Sequence, residues 1–410
     1  MEKYFCNLTL LLLALLFLNS CENQTALNLK PGKELYYQNK IDETIASFTK
    51  ILKKNPNDVE TLTWLAQSYL RKGEKNKAEE YSQKVLKLDN ENALANLIYG
   101  KSILPHYTDP NPENSDLSWT HYLKAIECDS TNPNIWIEIW GESIRRQNID
   151  YWHTSLKKLY ETKFLTNAAL EYGRWMLRTL PLNSVLLTNG DMDTYPTQAL
   201  QEVESFRKDV TIVERGLLDL SWSLKFLRDF GNVPLPYSDE EIDAFSEISD
   251  DSGNQITVAD QILADWIQKV KSREFTRPLV FAPSVAEDFY EKYKDYINYS
   301  GSYFLVNSKP VNQFLNMDNI EESLIGISNS DFSGPWISEK DLSPIRTIYT
   351  KNIVKNISYS GIIYSKELIK NGQTNKALST LTWLEEFEKT TELGPSFNEE
   401  ISRLLNICTN

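Results

Sequence analysis

Residues 62–78 read LTWLAQSYLRKGEKNKA, and their pattern decides how the N-terminal third of the chain folds. Leu62, Leu65, Ala66 and Tyr69 recur at helical spacing, Gly73 interrupts them, and Ala78 opens a second apolar stripe that reaches Val85. Apolar residues three and four apart turn one face of a helix toward a neighbour, so the stretch predicts two helices closed at Gly73. Small side chains at Ala66 and Ala78 let those helices approach, and Leu65 and Tyr69 fill the groove between them. The unit recurs. Asn39, Thr44, Phe48, Ile51 and Pro56 stand in register with Gly73, Ala78, Ser82, Val85 and Asn90, each pair 34 residues apart.

A 34-residue helical period resembles the tetratricopeptide repeat. The resemblance implies a stacked solenoid with a concave face for peptide or protein segments, and Leu62, Leu65 and Tyr69 are its expected groove residues. A third copy starts at Tyr99-Gly100 and resumes at Tyr122 and Ala125, split by the Pro/Asn-rich insertion Leu104–Asp116. A degenerate fourth follows around Trp140-Gly141 and Ile144. Near the C-terminus, Gly372-Gln-Thr-Asn-Lys-Ala377 mirrors Gly73-Glu-Lys-Asn-Lys-Ala78 and predicts a further hairpin of this type.

The pattern changes after Leu180-Pro181. Ser184–Thr188 is a short β-type run, Thr197–Phe206 has helical spacing, and Val210–Val213 is a second strand, which gives a βαβ unit. A second unit has strands at Leu279–Ala282 and Tyr303–Val306 around a helix at Val285–Tyr293. Helices are expected over Ser221–Phe230 and Val258–Val270. Between them, Asp239–Asp251 carries seven carboxylates and no Lys or Arg, which reads as a solvated insertion or a weak calcium site.

Leu182–Pro196 (LNSVLLTNGDMDTYP), Leu200-Gln-Glu-Val203, Arg207-Lys-Asp-Val210 and Arg277-Pro-Leu-Val-Phe-Ala282 follow one another in an order that resembles the soluble region of bacterial protein O-mannosyltransferase-like membrane proteins. The resemblance spans about 180–306. It implies a shared accessory domain, and it implies no transferase activity, because the multi-span membrane part is lacking.

These readings give a mixed α and α/β chain. An N-terminal tetratricopeptide-type helical solenoid covers 31–180, and a central parallel-sheet α/β domain covers 181–310, with an acidic insertion at 232–254. A loop and a C-terminal helical hairpin of repeat type cover 311–410. Ligands of open α/β sheets sit beyond the carboxyl ends of parallel strands. Asn189, Asp191, Asp193, Thr194 and Tyr195 occupy that place and could meet a cation, sugar hydroxyls or a ring face. The same residues also suit a turn followed by a helix cap, with Pro196 in the first helical turn. Glu214, Arg215 and Asp219 lie beyond the second strand, where a salt bridge is the plain reading. Arg277-Pro278 fixes the entry of a strand, and Trp136, Trp140 and Trp152 read as core before they read as a carbohydrate platform. His106 and His121, with Asp109 and Asp116, flank the insertion.

The 410 residues are 41% hydrophobic and 24% charged, a globular balance. A formal charge of −14 argues against duplex nucleic acid as a partner. With three His and four Cys, neither a His-based zinc site nor a disulfide framework is expected. No catalytic residue, cofactor or metal is assigned. Leu8–Leu18 is apolar and too short to span a bilayer comfortably, and Leu18-Asn-Ser-Cys21 resembles the lipobox of bacterial lipoproteins. That resemblance implies loss of signal peptide 1–20, acylation of Cys21, a tether over 21–30, and a chain held at an envelope membrane, facing the periplasm. Cys128 and Cys408 would remain, as small buried hydrophobes or as a pair. The function expected is a non-enzymatic scaffold holding an envelope protein or peptide segment. The alternative is a glycan-binding accessory to O-mannosylation.

Overall fold

The computed structural model describes residues 29–104, 112–250, 252–285 and 291–409. The leader, Cys21, His106 and Asp109 lie outside them. The chain divides into two compact units between Ile135 and Trp136.

The first unit holds three helical hairpins: α1 (29–37) with α2 (Ile41–Leu52), α3 (Val59–Lys72) with α4 (Lys75–Leu88), and α5 (Ala93–Ile103) with α6 (Pro112–Cys128). Asp58 and Asn92 cap α3 and α5 by accepting the Thr61 and Ala95 amides at 2.9 and 3.0 Å. Gly73 ends α3 in the left-handed region (φ 83°), and the Gly73 and Glu74 amides return to the Leu70 and Tyr69 carbonyls. Glycine also sets the approach of the paired helices. A Cβ on Gly32 would lie 2.5 Å from the Phe48 ring, and one on Gly100 would lie 2.6 Å from the Tyr122 ring. In the second repeat the position of Gly32 holds the larger Ala66, and the position of Phe48 holds only Ser82. A smaller residue at the second position thus accompanies a larger one at the first.

Leu62 packs with Val85 and Ala95, and Leu65 packs with Leu29 and Phe48. Both are buried. This corrects their assignment as partner-contacting groove residues: they hold the hairpins together, each contributing about 1.5–3 kcal/mol of apolar burial. Tyr69 is half-buried and stacks on Tyr81 with ring centroids 5.4 Å apart.

The second unit is built on a five-stranded sheet of order β2-β1-β5-β7-β6. β1 (Val185–Thr188) pairs in parallel with β2 (Thr211–Glu214) and with β5 (Leu279–Phe281). β7 (Phe304–Val306) runs antiparallel to both β5 and β6 (Ile297–Tyr299). The parallel-sheet expectation thus needs correction to a mixed sheet. The cause is local: Ser300-Gly301-Ser302 closes a hairpin, with Gly301 at φ 83° and the Ser300 amide on the Tyr303 carbonyl, so the last strand returns against its neighbour.

Three helices before the sheet pack into this unit, namely α7 (Pro133–Arg145), α8 (Ile149–Glu161) and α9 (Asn167–Arg178). They seat on α10 (Asp191–Glu204), the crossover between β1 and β2. Trp140 Nε1 donates to Gln198 Oε1 at 3.1 Å, and Tyr160 Oη donates to Glu204 at 2.7 Å. Gly173 comes within a Cβ contact of Pro196 and Leu200. Trp136 and Trp140 are core, and Trp152 is half-buried.

A 3-10 turn (Arg215–Asp219) and α11 (Ser221–Asp229) follow β2. The acidic insertion carries short elements of its own. Ser238 and Glu241 form a capping box for α12 (Asp239–Ala244), and a two-stranded ribbon joins β3 (Ile248–Ser249) to β4 (Gln255–Ile256). Lys225 and Arg228 of α11 supply counter-charges, at 2.8 Å to Asp243 and 2.7 Å to Asp239. α13 (Val258–Ser272) buries Ile262, Leu263, Trp266 and Val270, the face its spacing predicts.

After α14 (Met317–Leu324), α15 (Arg346–Lys370) and α16 (Thr374–Thr391) form the C-terminal hairpin, closed at Gly372 (φ 72°) by the same two amide bonds as at Gly73. A third helix, α17 (Pro395–Thr409), adds Phe397, Ile401 and Leu404 to the cluster around Leu381 and Leu384. Cys128 and Cys408 are free and half-buried.

Candidate functional site

The rim at the carboxyl ends of β1, β2 and β5 gathers polar groups from separate segments of the chain. Gly190, at φ 98°, turns the chain from β1 into α10, which starts at Asp191. Thr194 and Asp193 are therefore inside the helix, and Gly190 takes the cap position expected for one of them. Pro196 is the sixth helical residue, where it cannot donate to the Met192 carbonyl.

Asp193 is fully buried. Its Oδ2 accepts the Asn189 amide at 3.0 Å and the Ser284 hydroxyl, while its Oδ1 has no hydrogen-bond partner among the described residues. Burial raises this carboxyl to about 6, against the stabilising bonds from Ser284 and Asn189, and the nearby Glu214 charge adds to the rise. Glu214 clamps the other side. Its Oε1 accepts the Gly190 amide at 3.0 Å and its Oε2 the Leu217 amide at 2.9 Å, and burial raises its carboxyl too. The salt bridge expected around Arg215 reaches beyond Glu214 and Asp219 to α13. Arg215 pairs instead with Asp260 at 3.4 Å, and Asp219 accepts the Ala259 amide at 2.8 Å.

Thr194 shares a 2.7 Å hydroxyl contact with Thr188, and Tyr195 sets its ring edge-on to Trp140 with centroids 4.9 Å apart. Both are buried. Of the five rim residues, Asn189 and Asp191 are exposed. Asn189 donates to the Ser284 carbonyl at 3.0 Å. Asp191 lies 3.5 Å from Arg346 Nη2, and Arg346 also binds buried Asp341 at 2.7 Å and covers the Phe164 ring. Arg346 and Asp341 escape sequence reading, because a long stretch of chain separates them from the rim and no periodicity links them to it. Ser284 was legible only as a residue just past a strand.

Chemically, the rim is a clamp whose polar groups bind one another, apart from the unpartnered Asp193 Oδ1. Its carboxylates meet backbone amides, a serine and an arginine, with no imidazole among them. Among the described residues no three His, Cys, Asp or Glu side chains converge as metal ligands. His121 is 2.8 Å from Asn96 Oδ1 in the first unit, and His153 is 2.7 Å from Glu202 in the second. Arg277 secures strand entry, binding the Asn183, Ser184 and Asn232 carbonyls and the Thr211 hydroxyl.

In the first unit the accessible chemistry lies on α1 and α3. Lys33 sits 5.2 Å from the Trp64 ring and 2.7 Å from Glu60, and Arg71 covers Tyr36 at 5.0 Å while donating to Asn39. Tyr37 beside them is 42% exposed. Tyr36 is fully buried beneath them, so the accessible surface here is Tyr37 with the half-buried Lys33, Trp64 and Arg71, and not Leu62 or Leu65.

Residues 35–100 match the tetratricopeptide repeat family. Residues 169–236 match the TMEM260-associated domain 2 family, a span that contains β1, α10, β2 and α11. The comparison with curated proteins gives no match. Among solved structures, a thermophilic tetratricopeptide-repeat protein of Thermus thermophilus shares 18% identity over 43% of this chain and 90% of its own, with a TM-score of 0.32. A tetratricopeptide-repeat protein of Parabacteroides merdae shares 11% identity over 93% of this chain and 98% of its own, with a TM-score of 0.28. Both overlays are loose. The first unit's repeat character therefore rests on the sequence match over 35–100 and on the hairpins themselves.

Proposed function

We propose that this chain is a non-enzymatic scaffold, anchored at a bacterial envelope membrane through acylated Cys21, that holds a protein or peptide segment on its tetratricopeptide repeats. The observation that carries the reading is the face of α1 and α3 on which Tyr37 is exposed beside half-buried Lys33, Trp64 and Arg71, within and just before the start of the matched repeats. Such side chains bind well at interfaces because they bring apolar area and directed charge together. Among the described residues no helix is long and apolar enough to cross a membrane. The test is co-purification from crosslinked cells with quantitative mass spectrometry. One stoichiometric envelope protein, lost in Tyr37→Ala combined with Lys33→Glu, is the expected result. Recovery of the same proteins from wild type and variant would remove the repeats from the function.

A second reading, glycan handling beside an O-mannosylation system, rests on the resemblance of about 180–306 to O-mannosyltransferase-like proteins and on the exposed polar residues of the rim. Ligand contact would then fall to Asn189 and Asp191, the exposed members of the rim. Mannoside binding lost in Asp191→Ala supports it, and no binding at millimolar mannoside ends it.

A further inference from the structure

β2 is an edge strand, and a cavity of about 630 Å³ runs along its whole length, from Val210 to Glu214. The Thr211 amide bonds to the Ser184 carbonyl, so Thr211 and Val213 turn their main-chain groups toward β1. Alternation then turns the Ile212 N–H and C=O and the Glu214 N–H outward, into the cavity. The Val210 carbonyl, which also faces that way, is already taken by Gln201 at 2.7 Å.

The facing wall is aromatic. Trp152, Phe226 and Phe230 form a chain with centroid separations of 5.8 and 5.3 Å. The Trp152 indole N–H is buried without an acceptor among the described residues. Such an unpaired donor is costly, and a carbonyl brought by a ligand would relieve it. At the mouth, Leu182 is 74% exposed and Phe230 45% exposed. Lys208 lines the same channel, is exposed, and makes no ion pair among the described residues.

We infer that this channel takes an extended peptide segment as a sixth strand beside β2. The segment's main chain pairs with Ile212 and Glu214, an apolar side chain rests on Trp152, Phe226 and Phe230, and a carboxylate side chain faces Lys208. Strand addition suits an unpaired edge, because backbone hydrogen bonds give affinity while alternate side chains give selectivity. The site is separate from the repeat face of the first unit and does not depend on it.

The test uses the full-length protein in detergent and a dye-labelled, end-blocked peptide, Glu-Val-Thr-Val-Thr-Val. Expected are saturable anisotropy and at least tenfold weaker binding in Phe230→Glu and in Leu182→Glu. Both positions are exposed, so the fold should survive the changes. Lys208→Glu should weaken binding severalfold at low salt and less at high salt. Hydrogen exchange at the Ile212 and Glu214 amides should slow at least tenfold on binding, and peptide N-methylated at alternate residues should bind at least tenfold more weakly. Equal affinity for the N-methylated peptide, or an Ile212 amide already protected without peptide, would overturn strand addition. Sedimentation showing a dimer that Phe230→Glu dissolves would assign the edge to a second copy of the chain and overturn the peptide reading.

Discussion

At Gly100 an added methyl group would sit 2.6 Å from the buried Tyr122 ring, whereas at Gly141 it would meet nothing within 4 Å. Both glycines are helical, and both follow an aromatic residue in the repeat pattern. Packing separates them. Gly100→Ala should lower stability by about 1–3 kcal/mol through overpacking. Gly141→Ala should be neutral or stabilise by up to about 1 kcal/mol through the unfolded chain's lost freedom. Urea unfolding of the two variants checks the pair, and equal effects would refute the small-against-large pairing of the hairpins. Asp193 gives a second residue-scale prediction. Its carboxyl lies near 6 when folded and near the ordinary 3.8 when the chain unfolds into water, so the folded state holds more protons between those values. Stability from this group is therefore greatest at low pH and falls as pH rises through that window, by about 3 kcal/mol as an upper bound. Asp193→Asn cannot ionise. The gap between wild-type and variant unfolding free energies should change in the variant's favour from pH 4 to pH 7, and a constant gap would mean that the carboxyl is not raised.

Elements were legible where their signals were local. The helices of the first two repeats, the face of α13 and the closure at Gly372 follow from apolar spacing and from glycine placed after a helix, and these appear as read, whereas the third copy's second helix already starts at Pro112, inside the expected insertion. The direction of β7 was not legible in the same way. Four apolar residues after a presumed helix suit either pairing, and only the hairpin at Gly301 decides it. The rim was half legible: its position beyond β1 follows from topology, but burial of Thr194 and Tyr195 depends on Thr188 and Trp140. Its closing partner, Arg346, comes from a helix far along the chain. Arg277 shows how much one side chain can tie an element down. It binds three carbonyls and a hydroxyl from three separate segments, which a planar guanidinium can do and an ammonium cannot. Arg277→Lys should therefore cost about 1–2 kcal/mol in urea unfolding, because two exposed carbonyls, one part-buried carbonyl and a hydroxyl cannot all keep a charged donor. A loss within a few tenths would show that water replaces them.

For the whole molecule, the two units pose one question of place, since a scaffold works on what it is held beside. The leader ends in Leu-Asn-Ser-Cys21, and a formal charge of −14 gives the chain no electrostatic hold on an anionic membrane. On the proposed reading, attachment comes from acyl chains on Cys21. One chain gives marginal, reversible binding, while several give stable anchoring. Cells fed an alkyne-tagged fatty acid should therefore label the wild-type chain, and its N-terminal peptide should begin at a modified Cys21. Cys21→Ser should abolish both the label and cleavage at that position. Washing membranes at high salt separates the alternatives further, because it screens charge but leaves hydrophobic insertion intact. Wild-type protein should stay in the pellet throughout. Its release by salt, or label retained in Cys21→Ser, would show that something other than acylated Cys21 brings this chain to the membrane.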